Sequence, residues 1–369
     1  MERYINIVDH HQRKNNAHTI FDRKVKDVPT CPAPWTDLIV NQYGVAYACE
    51  SPAWLPKSIG SLLDYNDIFD LLNSYEAQAI RSEISLNRYS YCNHKICKYL
   101  GFNSNSFQHA PSDPADLILL TESEFTADSR VSVLPKNICF DFDYTCNFKC
   151  PSCREDVINH NQGPMWETNR LLVDKIKHLI IDQYTDEYVA IRWAGGEPFV
   201  SQAYLDLWEY IAATGNTRIR NIIQTNGSYL EKRARLLENF LPYVDMLRIS
   251  FDAGTAATYA KIRVNGEWNK LLANCRFVKQ LIDRSGVNVG LRADYVIQLD
   301  NYQEIPEFIS TVFDLGFDGI GLTKMWNWGT WPDDEFARLN VTDPAHADHQ
   351  ELLSILAPYR NDQRIHISV

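Results

Sequence analysis

The chain has 369 residues, enough for one large domain and a smaller one. With 45% hydrophobic and 22% charged residues it has the composition of a soluble globular protein, and no run approaches the roughly 18 apolar residues of a membrane span. A net charge of −11 disfavours a broad footprint on nucleic acid or on an anionic membrane.

Residues 1–30 are polar, mixed in charge and without a clear period, and read as an N-terminal extension. The opening Met1-Glu-Arg-Tyr-Ile-Asn-Ile-Val has no apolar signal core, so a cytoplasmic location is expected. Residues 31–105 carry widely spaced cysteines and many aromatic residues, and read as a small domain with a connecting helix between Ile59 and Arg81. A Ser-, Pro-, Asp- and Asn-rich stretch then predicts a linker over 106–135.

From 136 to 330 the texture changes to alternating strands and helices. Strands are predicted at Ile138–Asp143, Val189–Trp193, Ile219–Thr225, Met246–Phe251, Val287–Ile297 and Gly319–Thr323. Helices are predicted between them, at Met165–Tyr184, Tyr204–Ala213, Leu230–Leu241, Trp268–Ile282 and Ile305–Leu315. Strict β/α alternation implies a parallel sheet with crossover helices. Six units are too few for a closed eight-unit barrel, so the expected class is α/β, a partial (β/α)6 TIM-like barrel with its site at the C-terminal strand ends. Residues 331–369 read as a C-terminal extension, after an aromatic-dense stretch Trp326–Trp331 that suits a wall or lid.

The nine cysteines are odd in number and clustered, which in such a chain reads as metal ligation before disulfides. Cys146, Cys150 and Cys153 form C-x3-C-x2-C directly after the first barrel strand. Three thiolates at this spacing suit three irons of a cubane and leave the fourth iron open to an exogenous molecule, whereas a purely electron-carrying cluster takes four cysteines. Zinc is the alternative, but it wants four protein ligands and only His160 follows nearby. One βα unit later, Gly195-Gly196-Glu197-Pro198 follows the second strand, its two glycines permitting a sharp turn with exposed backbone groups. At the N-terminal end, Cys31 is followed by twelve residues, Gly44, four residues and Cys49, and Cys92 with Cys97 completes a set of four. Cys139 and Cys275 read as small core residues.

The triplet and the GGEP turn together resemble the radical S-adenosylmethionine (radical SAM) enzymes. The N-terminal cysteines resemble the SPASM and twitch domains of that superfamily, although here they precede the barrel. The resemblance covers about residues 31–325 and implies two cofactors, S-adenosylmethionine and the [4Fe-4S] cluster that binds it through Cys146, Cys150 and Cys153. It further implies an auxiliary [4Fe-4S] cluster at Cys31, Cys49, Cys92 and Cys97, with a four-cysteine zinc site as the alternative. Gly195, Gly196, Glu197 and Pro198 are implied to hold the amino end of S-adenosylmethionine. Asn226, Ser250, Asp252 and Arg292, at or in later strands, are implied to face it, Arg292 by pairing with its carboxylate. Asp252 has a plainer reading as the cap of the following helix. The residue before the last cluster cysteine, usually aromatic in this family, is Ser152, and Phe148 is the nearest substitute for the adenine contact. No catalytic side chain is singled out.

The implied reaction is reductive cleavage of S-adenosylmethionine to a 5′-deoxyadenosyl radical that abstracts a substrate hydrogen. The auxiliary cluster points towards oxidative modification, a cross-link or dehydrogenation, of a ribosomal peptide or protein. A dehydrogenase or epimerase of a small molecule such as a sugar or aminoglycoside is the alternative. A non-catalytic iron–sulfur electron-transfer protein or a zinc-binding protein is a further one. An external electron donor such as flavodoxin or ferredoxin is the implied partner.

Overall fold

The computed structural model describes residues 31–369 apart from 87, 95–96, 98–99, 101–128 and 328. The expected extension over 1–30 and most of the expected linker over 106–135 lie outside the described residues. The chain forms two compact units. One holds the described residues up to Asp143 with Gln162–Gly195 and Arg218–Arg220, and the other holds Tyr144–Asn161, Gly196–Thr217 and Asn221–Val369.

In the first unit the strands are β1 (Asp37–Asn41), β2 (Val45–Tyr47), β3 (Gly60–Ser61), β4 (Asn137–Asp141) and β5 (Val189–Trp193). They pair in the order β5-β4-β1-β2-β3. β4 pairs in parallel with both β5 and β1, through Phe140↔Trp193 and Val40↔Phe140. The cysteine-bearing N-terminal segment therefore contributes a strand that hydrogen-bonds directly to the first barrel strand, which the sequence pattern does not announce. Cys139 on β4 packs against Ile39 and Tyr47 as a small apolar residue. The amphipathic helix Gly163–Leu179 buries Met165, Asn169, Leu172, Val173, Ile176 and Leu179 at i, i+3/i+4 spacing.

The connecting helix expected between Ile59 and Arg81 is instead β3, a 3₁₀ turn and two helices, Ile68–Leu72 and Tyr75–Ser85. The break follows from two N-caps, Asp67 accepting from the Phe69 amide and Ser74 from the Ala77 amide. The buried Arg81 guanidinium then donates to the carbonyls of Pro34, Leu72 and Ser129, tying three segments together.

In the second unit β6 (Ile219–Thr225, in this unit from Asn221 on), β7 (Val244–Ser250), β8 (Gly290–Ile297), β9 (Gly319–Lys324) and β10 (Ile365–Ser368) pair in that order, every pair parallel. β10 lies in the segment read as a C-terminal extension, and joins β9 through Ile365↔Ile320. The strand expected from Val287 begins at Gly290, because Gly286 at φ 67° ends the Trp268–Ser285 helix and 287–289 form the crossover. The helix expected from Leu230 is a 3₁₀ turn followed by Ala234–Phe240. Leu247 and Ile249 of β7 are fully buried, whereas Arg248 and Ser250 turn to the opposite face. The register sets Arg248 beside Arg292 and Ser250 beside Asp294, so that face is polar. Neither ladder closes on itself, and parallel strands alternating with helices give the mixed α/β, partial-barrel class expected. Among the described residues no helix is long and apolar enough to cross a membrane.

Candidate functional site

The loop 144–161 lies in the second unit and is closed at its neck. The Cys146 amide donates to the Ile158 carbonyl (2.8 Å), and the Ile158 amide returns a bond to Cys146 (3.2 Å). Within it, the amides of Cys153 and Arg154 both donate to the Cys150 carbonyl at 2.9 Å, winding the second half of the triplet into a turn. Each sulfur meets a nitrogen donor. The Phe148 amide lies 3.5 Å from Cys146 Sγ, Arg263 Nη1 lies 3.6 Å from Cys150 Sγ, and Arg154 Nη2 lies 3.3 Å from Cys153 Sγ. Arg154 also donates to the Tyr144 carbonyl at 2.8 Å, which fixes its direction.

Burial pushes the Cys146 thiol up to about 11, with the Arg154 charge opposing. Burial also raises the Cys150 thiol, against the Arg263 charge. Metal binding at Cys146 and Cys150 must therefore displace protons that burial helps to hold, and the adjacent cations then favour the thiolates. Arg263 Nε is buried with no hydrogen-bond partner among the described residues, so an acceptor there would complete it. A soft all-sulfur donor set with cationic N–H groups aimed at it fits an iron–sulfur cluster. Among the described residues no three His, Cys, Asp or Glu side chains are gathered tightly enough for a single metal ion.

Gly195 has φ 99°, a conformation open to glycine at little cost, and leads into the tightest approach of the site. A Cβ on Gly196 would lie 2.0 Å from the Thr145 carbonyl oxygen. That same carbonyl accepts the Glu197 amide at 2.7 Å, so the GGEP turn is pressed onto the residue preceding Cys146. Glu197 is buried and turned inward. Its Oε1 accepts from Thr225 Oγ1 (2.6 Å) and the Phe199 amide (3.2 Å), and its Oε2 accepts from the Asn226 amide (2.6 Å). Burial raises its pKa while these bonds lower it. Asn226 in turn donates to Asn147 Oδ1 (3.1 Å), and Asn147 donates to Ser228 Oγ (3.0 Å). One polar network thus joins the triplet loop, the GGEP turn and the end of β6. Pro198 is buried beside it, ahead of the helix Gln202–Thr214, which Ser201 caps.

Asp252, after β7, sits in the left-handed region at φ 57°. Its Oδ1 accepts the Val296 amide (2.7 Å), its carbonyl accepts Asn301 Nδ2 (3.0 Å), and its Oδ2 lies 3.4 Å from Arg263 Nη1. The expected helix-capping role falls elsewhere. Thr255 caps Ala256–Ile262, and Glu304 accepts from the amides of Gly254 and Thr255. Asp252 is drawn away from that task by its bonds to Val296 of β8 and to Asn301. Ser250 lends its carbonyl to Arg263 Nη2 at 3.2 Å. Arg292 stands apart from this network, donating to Asp294 at 2.9 Å, an aspartate that also receives Arg248. Gly321 makes room for the trio, since a Cβ there would fall 2.3 Å from Arg292 Nη2. Phe148 does not offer a free ring, being only 2% exposed. Arg154, Asn147, Arg263, Arg248 and Asp294 were not foreseen, since no spacing rule connects them to the cysteines.

In the first unit Cys31, Cys49, Cys92 and Cys97 line a single cavity whose other walls include Ala33, Leu55, Ile84 and Tyr89. The Cys92 amide bonds to the Tyr89 carbonyl and the Cys97 amide to the Asn93 carbonyl, which folds the last two cysteines back towards each other. Burial first, then the proximity of the other sulfurs, raises the thiols of Cys31, Cys49 and Cys92.

Residues 142–310 match the family model of the Radical SAM superfamily. That superfamily implies a [4Fe-4S] cluster and S-adenosylmethionine, and its enzymes catalyse radical chemistry. Among solved structures, SuiB of Streptococcus suis bound to precursor peptide SuiA matches at 13% identity and TM-score 0.41, covering 63% of this chain and 48% of that one. The anSMEcpe structure with bound AdoMet matches at 15% identity and TM-score 0.37, covering 52% and 51%. TsrM of Kitasatospora setae, a radical S-adenosylmethionine methyltransferase, matches at 12% identity and TM-score 0.35, covering 48% and 34%. The chain spans about half the length of the first of these structures. No curated protein matches the chain.

Proposed function

We propose that the chain is a radical SAM enzyme that reductively cleaves S-adenosylmethionine to a 5′-deoxyadenosyl radical and abstracts a hydrogen from a ribosomal peptide or protein. The net outcome is oxidative, a cross-link or dehydrogenation. The observation that carries the reading is the junction of two motifs, with the carbonyl before Cys146 pressed onto Gly196 and Glu197 while each triplet sulfur meets a nitrogen donor. Cys146, Cys150 and Cys153 hold the cluster, which when bound supplies the electron for carbon–sulfur cleavage. Glu197 braces the turn through Thr225 and Asn226, so that the backbone of Gly195 and Gly196 faces the cofactor's amino end. Ser250 and Asp252, at and just after the end of β7, lie beside it, while Arg292 lies inside β8 and pairs with Asp294. The oxidative direction is supported by the shared cavity of Cys31, Cys49, Cys92 and Cys97, read as the seat of an auxiliary [4Fe-4S] cluster that takes up the electron left after hydrogen abstraction. The partner is a one-electron donor of the ferredoxin or flavodoxin kind, and the working compartment is the reducing cytoplasm.

Anaerobic reconstitution with iron and sulfide tests this directly. About eight irons per chain are expected for two cubanes, whereas about four assign another metal to the N-terminal set. Under dithionite the loaded protein is expected to release 5′-deoxyadenosine from S-adenosylmethionine, and no release under strong reduction sinks the enzyme reading.

A further inference from the structure

Of the three donors that meet the triplet sulfurs, Arg263 alone is a charged group carried by a distant segment. Its side chain is only 13% exposed. It terminates the helix Ala256–Ile262, donating its amide to the Tyr259 carbonyl at 2.7 Å, and its own carbonyl accepts the Gly266 amide at 2.7 Å. The turn is stitched to the triplet loop by a bond from the Lys149 amide to the Val264 carbonyl (3.2 Å). The guanidinium is held on three sides: Cys150 Sγ at 3.6 Å, Asp252 Oδ2 at 3.4 Å and the Ser250 carbonyl at 3.2 Å. Asp252 is itself immobilised, by the Val296 amide and Asn301 Nδ2, in a backbone conformation that few side chains adopt. The result is a fixed buried cation against one cluster ligand, with a fixed buried anion behind it.

We propose that Arg263 and Asp252 together set the reduction potential of the cluster held by Cys146, Cys150 and Cys153, the arginine raising it and the aspartate moderating the effect. The proposal rests on the cluster reading above. One electron, from a low-potential iron–sulfur or flavin protein or from dithionite in the test, converts the [4Fe-4S]2+ state to [4Fe-4S]+. No bond breaks, and the cluster gains one negative charge. A fixed positive charge beside a ligand sulfur favours the reduced state over the oxidised one, and burial keeps solvent and salt from screening it. Arg263 is thus a positioning and tuning residue that acts through Cys150.

The test is an EPR-monitored redox titration of the reconstituted full chain, following the signal that S-adenosylmethionine perturbs, with iron counted on every sample. Arg263→Gln is expected to lower the reduction equilibrium constant about tenfold, a shift of about 59 mV to more negative potential for one electron. Asp252→Asn is expected to move the potential the opposite way, and Arg263→Lys to stay nearer the wild type than Arg263→Gln. A merely structural role moves both charge variants in one direction or not at all, and either result overturns the proposal. Should Arg263→Gln fail to take up iron, Asp252→Asn decides: a positive shift upholds the proposal and any other result overturns it. The two readings fail differently. A wild type that takes no cluster at the triplet removes the cluster reading itself, whereas loaded clusters with unmoved potentials remove only the tuning role.

Discussion

Asp37 shows how a single side chain ties stability to pH. It sits on β1, 5% exposed, and burial, then the nearby Glu50 charge, pushes its carboxyl up to about 7 from 3.8. Hydrogen bonds from Asn137 and Thr36 and the Arg192 charge oppose the rise without cancelling it. The folded chain therefore holds the proton more tightly than the unfolded one. The associated stability is fully present below about pH 4 and is lost as pH rises through about 7. An amide cannot ionise, and it keeps the acceptor that Asn137 Nδ2 uses at 2.9 Å. Asp37→Asn is thus expected to change stability little at pH 4 and to gain on the order of 4 kcal/mol by pH 8, at about 1.36 kcal/mol per unit. Thermal melts of both proteins at pH 5 and pH 8 check it. An equal difference at the two values would show that the Asp37 charge is not the cause.

Between elements, the decisive contact is the crossing of the triplet loop and the GGEP turn. A Cβ at Gly196 meets main-chain atoms, the Thr145 carbonyl oxygen at 2.0 Å and the Tyr144 carbonyl carbon at 2.7 Å, and neither can swing aside as a flexible side chain does. Gly196→Ala is expected to cost about 1–3 kcal/mol, as overpacking does, and to strip iron from the triplet by displacing the residue before Cys146. Gly215, which ends the helix Gln202–Thr214 and has nothing within 4 Å of its Cβ position, is the comparison. Gly215→Ala is expected to destabilise through its φ of 69° alone and to leave iron content unchanged. Equal iron loss in both would reassign the effect to general unfolding. The two motifs were legible in sequence because each is local: a cysteine triplet and a double glycine, each after a period-two or apolar strand. The strands β5 and β6 were legible to the residue for the same reason. β1 and β10 were not, since they lie outside the run of alternating strands and helices, β1 before it and β10 after it, and the alternation that marks the other strands does not extend to them. Arg263 was illegible for another reason. Its position against Cys150 is set by a helix end, a tight turn at Gly266 and a clamp from β8, none of which leaves a mark in spacing.

At the scale of the whole chain, the two sets of cysteines differ in the chemistry around them. The triplet is accompanied by Arg154 and Arg263, whereas the cavity of Cys31, Cys49, Cys92 and Cys97 has largely apolar walls. Each set lies wholly within one compact unit. Removing a ligand from one set therefore leaves the hydrogen bonds that shape the other untouched. The thiols of Cys31, Cys49 and Cys92 are held protonated by burial, so metal uptake there must expel protons and is expected to strengthen as pH rises. Cys49→Ala, which takes away a buried ligand two residues after β2, is expected to lower iron from about eight to about four per chain. The variant should still release 5′-deoxyadenosine from S-adenosylmethionine, because Cys146, Cys150 and Cys153 keep their donors. On the oxidative reading proposed above, what it should lose is the oxidised product. Iron analysis, 5′-deoxyadenosine release and mass spectrometry of substrate on the same sample separate these three quantities. Unchanged iron in Cys49→Ala would remove the auxiliary cluster from the N-terminal cavity, and loss of 5′-deoxyadenosine release would show that the two sites are not separable.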